Sequence, residues 1–123
     1  MTINEISGEI LDAAIEVHNH LGPGLLESVY EEVLCVELKS RGINVQRQVS
    51  VPLKYKGQPI DKNLYIDLFV ENQVVVELKS VQKLKPVHSK QVLTYLRLSN
   101  SKLGLLINFN EDRVSKGFKR IIL

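Results

Sequence analysis

Two acids and a lysine interrupt strands that are otherwise hydrophobic. Asp67 lies between Ile66 and Leu68 in LYIDLFV, and Glu77 and Lys79 follow Val74-Val75-Val76 in VVVELKS. An unpaired charge in a buried strand is heavily penalised, so something must compensate it. The two runs are joined by Glu71-Asn72-Gln73, and a hairpin centred on Asn72 pairs residues whose numbers sum to 144, which sets Asp67 opposite Glu77. Opposed residues share a face, and Lys79, two positions beyond Glu77, shares it too. Two neighbouring carboxylates repel each other and suit a hard cation such as Mg²⁺ or Mn²⁺. A cross-strand salt bridge from Lys79 to either acid is the other reading of the same three residues.

Further polar residues recur at telling intervals. GLLESVY places Gly24, Glu27 and Tyr30 in the order G-x-x-E-x-x-Y, and QVLTY places Gln91 and Tyr95 four apart, on one face of a helix. Tyr95 could equally serve the core, and Gln91 a helix surface. His18 follows Val17 on an amphipathic run and reads as a satisfied or surface histidine; His88, ahead of the last helix, reads as a loop residue. Ser28 and Ser80 have no paired histidine in the pattern, which gives no case for a serine nucleophile. The lone cysteine, Cys35, excludes an internal disulfide, a CxxC pair and a four-cysteine metal site.

The elements that must carry these residues follow from periodicity. Ile6, Ile10, Ala13, Ala14, Val17 and Leu21 recur three or four apart, predicting an amphipathic helix that LGPG at 21–24 stops. A second helix presents Leu26, Val29, Tyr30, Val33 and Leu34 and ends at Arg41-Gly42. The period then changes to two: Val45, Val49, Val51, Leu53 and Tyr55 alternate with polar residues, predicting a half-buried strand. A turn at 56–59 leads to strands at about 64–70 and 74–80. Residues 90–98 return to helical spacing, and LGLLINF at 103–109 has the continuous apolar character of a strand buried on both faces. The tail at 117–123 fits either a short edge strand or a helix. The order α-α-β-β-β-α-β predicts an α/β sandwich with a mixed sheet, since the last helix must cross over to reach a buried strand.

With 123 residues, the chain is expected to form a single domain, 1–123, and its composition is that of a folding globular protein. No apolar run approaches the length of a membrane span, and the acidic start lacks a signal peptide's basic residues, so a cytoplasmic protein is expected. The net charge of +2 conceals a division: residues 1–38 carry eight carboxylates and no Lys or Arg, and all sixteen basic residues follow. Between Leu78 and Asn110 there is no acid, while Lys79, Lys83, Lys85, Lys90, Arg97 and Lys102 fall there. Such asymmetry suits one face turned to a polyanion, although two solvated faces that attract one another would show it as well.

Taken together, IDLFVENQVVVELK, of the form D-x9-ExK, resembles the core of the PD-(D/E)XK nucleases; GLLESVY resembles the GxxExxY proteins grouped with them; and QVLTY resembles the Q-x-x-x-Y element of RecB-like nucleases. The likeness runs from about residue 6 to 121, with Ile66 in place of the signature proline. It implies a restriction-endonuclease-like α-β-β-β-α-β core, a mixed central sheet flanked by helices. It further implies a magnesium (or manganese) site of Glu27, Asp67, Glu77 and the Leu78 carbonyl, with Lys79 orienting water beside the scissile phosphate and Gln91 and Tyr95 positioning the nucleic-acid backbone. The activity implied is hydrolysis of DNA, ahead of RNA, with Lys83, Lys85 and Lys90 on the substrate face. A non-catalytic nucleic-acid-binding module of the same fold is the alternative. A homodimer would let so small a domain span a duplex, yet no segment marks an interface.

Overall fold

The computed structural model describes residues 1–123. Helices α1 (Ile3–Leu21) and α2 (Glu27–Ser40) precede strands β1 (Val45–Tyr55), β2 (Gln58–Val70) and β3 (Val74–Lys79); helix α3 (Pro86–Ser99), β4 (Leu103–Asn108), a 3₁₀ turn (Val114–Gly117) and β5 (Phe118–Ile122) complete the chain. The five strands lie in sequence order. Only β3 and β4 run parallel, joined across α3, so the sheet is mixed as the element order requires. No helix is long and apolar enough to cross a membrane.

Each face of the sheet has its own core. Helices α1 and α2 bury Ile6, Ile10, Leu34 and Leu38 against Leu68, Val76, Leu78 and Leu105. On the other face, α3 sets Val92 and Leu96 against Val51, Ile66, Val75 and Leu106. Gly104 fixes the height of α3, because a side chain there would collide with Val92.

Several boundaries depart from the periodicity. Helix α3 begins at Pro86 rather than 90: proline fits a first helical turn, Lys85 before it is extended, and the Lys85 amide donates to His88 Nδ1 at 2.9 Å. His88 is therefore a helix cap. Strand β2 starts at Gln58, six residues before the expected start, because the β1–β2 ladder continues to Tyr55↔Gln58. Pro59 is tolerated there because β3 pairs with β2 only from Leu68 onward, leaving that flank without a strand. The tail resolves into an edge strand, with Arg120 donating to Ser7 and Asn4 of α1 at 2.9 and 3.0 Å.

The uniform alternation expected of β1 breaks at one residue. Val45 belongs to the core under α1 and α2, whereas Val51, of the same parity, belongs to the core under α3; Leu68 and Ile66 divide in the same way on β2. The switch falls at Gln48, whose φ of 50° is left-handed, and at Asp67, which the register places across from it. A single left-handed residue rotates the ladder and releases its neighbours from regular pairing. Tyr55, expected on the buried face, is 64% exposed because it lies past a register shift between Pro52 and Lys54, where the ribbon has run beyond the end of β3.

Candidate metal centre and nucleic-acid face

The β2–β3 hairpin has the register that its sequence predicts: Leu68↔Val76, Phe69↔Val75 and Val70↔Val74. Its turn puts Glu71 and Asn72 at φ 52°, closed by the Gln73 amide donating to the Val70 carbonyl at 3.0 Å. Continued by one step, the ladder brings Asp67 to Glu77. There the side chains replace the ladder: the Asp67 amide donates to Glu77 Oε1 at 3.2 Å, and the Leu78 amide donates to Asp67 Oδ2 at 2.9 Å. Each acid thus takes up a backbone donor from the other strand, which locks both carboxylates at the joint where the sheet changes sides.

Glu77 is only 6% exposed, and no cation lies within 4 Å of it; the salt bridge from Lys79 does not form with either acid. Burial first, and the charge of Asp67 second, push the Glu77 carboxyl up to about 9, with Lys79 drawing it back slightly. Tyr95, half-buried on α3, is raised above its ordinary value by burial and then by the charges of Glu77 and Asp67, so it lies in the field of the pair. Gln91, one turn earlier, is exposed. Lys79 is half-buried and lies beside Asn108 of β4.

Glu27 occupies the first turn of α2, exposed and hydrogen-bonded to nothing else in the protein. Its loop is tied to the end of β3, since Ser80 Oγ donates to the Leu25 carbonyl at 2.6 Å. Nevertheless, no three Asp, Glu, His or Cys side chains converge into a cage for a metal. The structure brings Asp67 and Glu77 together and leaves Glu27 outside such a group. Tyr30, the last residue of that motif, is structural: its hydroxyl donates to the Gly22 carbonyl at 2.5 Å and accepts from the Leu25 amide at 3.2 Å, and its ring stacks on Phe109 at 4.5 Å. His18 is satisfied by the Glu111 carbonyl at 2.8 Å.

Four residues that the motifs do not mark complete the surroundings. Gln48 Nε2 bridges Glu31 Oε1 at 2.5 Å and Asp67 Oδ1 at 3.4 Å, and Arg47 pairs with Glu31 at 3.0 Å, so Asp67 is tied to α2 through Gln48 and Glu31. Asn108, wholly buried, accepts from the Val81 amide at 3.1 Å and donates to the Val81 carbonyl at 2.9 Å. It thereby pins the chain just after Lys79, where the basic segment starts. The one signal for Asn108 is an amide ending an apolar strand; for Gln48 and Glu31 the pairing is long-range and leaves no spacing to read. Lys83, Lys85 and Lys90 are exposed, the first two lining a cavity of about 300 Å³ with Val81, Gln82 and His88.

Two acids interlocked across a hairpin, followed by a lysine and a basic crossover helix, are what the sequence likeness requires, and the family model for the PD-(D/E)XK nuclease superfamily matches residues 4–121. The chain belongs to that superfamily. Among solved structures, this PD-(D/E)XK chain resembles the crystal structure of SSO0001 at a TM-score of 0.60 and 17% sequence identity, over 99% of this chain and 78% of that one, a likeness of fold. No curated protein matches it in sequence.

Proposed function

We propose that this chain is a metal-dependent nuclease that hydrolyses phosphodiester bonds of DNA, ahead of RNA. The observation that carries this reading is Glu77, buried beside Asp67 with a raised pKa and no cation against it. A hard divalent cation, Mg²⁺ or Mn²⁺, fits that pair, because its positive charge would displace the proton that burial and Asp67 keep on Glu77 and be shared by both sets of oxygen donors. When bound, such an ion polarises a phosphoryl oxygen and makes water more acidic.

The chain's own residues divide the remaining work. Asp67, Glu77 and the Leu78 carbonyl would hold the ion, and Glu27, outside that group in this structure, would swing toward it from α2. Lys79, free of any ion pair, orients the attacking water and offsets charge developing on the phosphate. Tyr95 and Gln91 on α3 face the nucleic-acid backbone, with Lys83, Lys85 and Lys90 supplying phosphate contacts. None of the four cavities in the molecule is lined by Asp67 or Glu77, which favours a polymer laid across the site over a small molecule enclosed by it.

One observation favours a second reading. Because Glu27 does not join the acids in a closed group, a nucleic-acid-binding module without catalysis keeps its place as the alternative. The test is cleavage of branched, single-stranded and duplex DNA and of RNA with Mg²⁺ or Mn²⁺, alongside Glu77→Gln. Metal-dependent cleavage that disappears in the variant is expected. Binding without cleavage under every metal and substrate selects the module.

A further inference from the structure

The β1–β2 ribbon outgrows the sheet that it belongs to. Strand β3 pairs with β2 only over Leu68–Val70, yet the β1–β2 ladder runs on to Tyr55↔Gln58. Val51 and Ile66 still pack under α3, but from Pro52 to Asn63 every residue is exposed except the half-buried Leu53. At about 3.3 Å per residue, the ribbon reaches roughly 20 Å past the Val49↔Ile66 pair. A two-stranded extension with nothing packed on it is marginal in water, so the core gains little from its length.

Its composition points to the occupant. Beyond Gln48 the ribbon carries Lys54, Lys56 and Lys62 against the single acid Asp61, with Tyr55 exposed between Lys54 and Lys56 and Tyr65 exposed nearer the base. The free flank of β1 carries Pro52 and Lys54, which discourage pairing with another strand. A second copy adding a strand there is therefore disfavoured. The ribbon also springs from the joint at Gln48 and Asp67, so a polymer held along it runs on from the two acids.

We propose that the β1–β2 ribbon is an arm that grips the phosphate backbone of duplex DNA to one side of the bond held at Asp67 and Glu77, through Lys54, Lys56 and Lys62. A two-stranded ribbon has the width to enter a major groove, and lysines on both strands can meet phosphates on either wall. The proposal rests on the nucleic-acid reading above and adds to it a second basic surface, separate from Lys83, Lys85 and Lys90.

The test is duplex DNA binding by the whole chain in EDTA, followed by fluorescence anisotropy over a salt series, for wild type, the triple variant K54A/K56A/K62A and the charge-preserving K54R/K56R/K62R. Each lost phosphate contact lowers the slope of log affinity against log salt by about 0.9, so the alanine variant is expected to lose about 2.7 units of slope and at least about tenfold in affinity at 0.1 M salt. The arginine variant should bind like wild type, and all three should melt together. An unchanged slope in the alanine variant, or a wild type with no duplex affinity, overturns the arm. Because binding is read without metal, the outcome is separate from catalysis: metal-dependent cleavage with an unchanged slope sinks the arm alone, and a lost slope without cleavage under any metal sinks the nuclease reading alone.

Discussion

Glu31 and Glu77 are equally buried, each 6% exposed, and their surroundings differ completely. Glu31 accepts from Gln48 and pairs with Arg47, whose guanidinium it raises in turn through their hydrogen bond. Glu77 has a backbone amide, a second carboxylate and no cation within 4 Å. One carboxylate is compensated by the fold, while the other is held in a place that the fold alone makes unfavourable. A buried acid therefore marks a site through what it lacks rather than through its burial, since strained groups persist where chemistry uses them.

The comparison breaks most sharply under substitution. Glu77→Gln should lower cleavage by on the order of a thousandfold or more, as loss of a principal electrostatic element does, and leave the metal-free melting temperature unchanged or higher. Asp67→Asn should behave alike. A melting temperature that falls in both, with no Mg²⁺-dependent shift in wild type, would remove the difference between the two acids and with it the nuclease reading. Lys79→Ala should cost about a hundredfold or more in cleavage while Mg²⁺ still raises the melting temperature, with stability down by no more than about 1 kcal/mol because no ion pair is broken. Glu31→Gln should do the opposite: a loss of about 1–3 kcal/mol, or roughly 4–12 °C in melting, with the Mg²⁺-dependent shift retained.

Acidity gives a second handle on the same contrast. Glu77 is raised from an ordinary 4.5 to about 9, so between those values the folded protein holds a proton that the unfolded chain has released. The stability of the metal-free protein is then fullest below about pH 4.5, so far as Glu77 contributes, and falls as pH rises toward 9, by at most about 1.4 kcal/mol per unit. Glu77→Gln should flatten that decline, and Mg²⁺ should oppose it increasingly as pH rises. Denaturant titrations at pH 6, 7 and 8 in EDTA and in Mg²⁺ measure both effects; a wild-type slope equal to that of the variant would refute the assignment.

What was legible in the sequence was local. The register of a three-residue turn follows from counting, so the meeting of Asp67 with Glu77 and the place of Lys79 after them could be read from LYIDLFVENQVVVELKS. The mixed sheet followed from one apolar run separated from β3 by a helix. Illegible was whatever depended on one backbone angle or on a distant partner. A left-handed Gln48 looks like any polar residue in an alternating strand, yet it turns the ribbon over and moves Val49 and Val51 to the α3 side of the sheet. Asn108 and Glu31 act through Val81 and Gln48, to which no spacing rule connects them. Glu27 and Tyr30 share one sequence motif, yet the structure gives them separate surroundings.

That separation can be measured through the smallest effects expected. Tyr30→Phe removes a hydroxyl serving the Gly22 carbonyl and the Leu25 amide and leaves the ring on Phe109, so it should cost about 1–2 kcal/mol, or roughly 4–8 °C in melting. Cleavage well below its melting temperature should then stay near wild type, because the loop still closes through Ser80 and Leu25. Glu27→Ala should leave melting within a degree or two, since the side chain is exposed and bonded to nothing. If Glu27 swings toward the ion held by Asp67 and Glu77, this variant should need about 10–100 times more Mg²⁺ for half-maximal cleavage and recover at saturation, the range typical of groups that support a metal from just outside its tightest contacts. An unchanged Mg²⁺ dependence would confine the metal site to Asp67, Glu77 and the Leu78 carbonyl. The motif would then matter through Tyr30, and only by holding the turn that brings α2 to the end of β3.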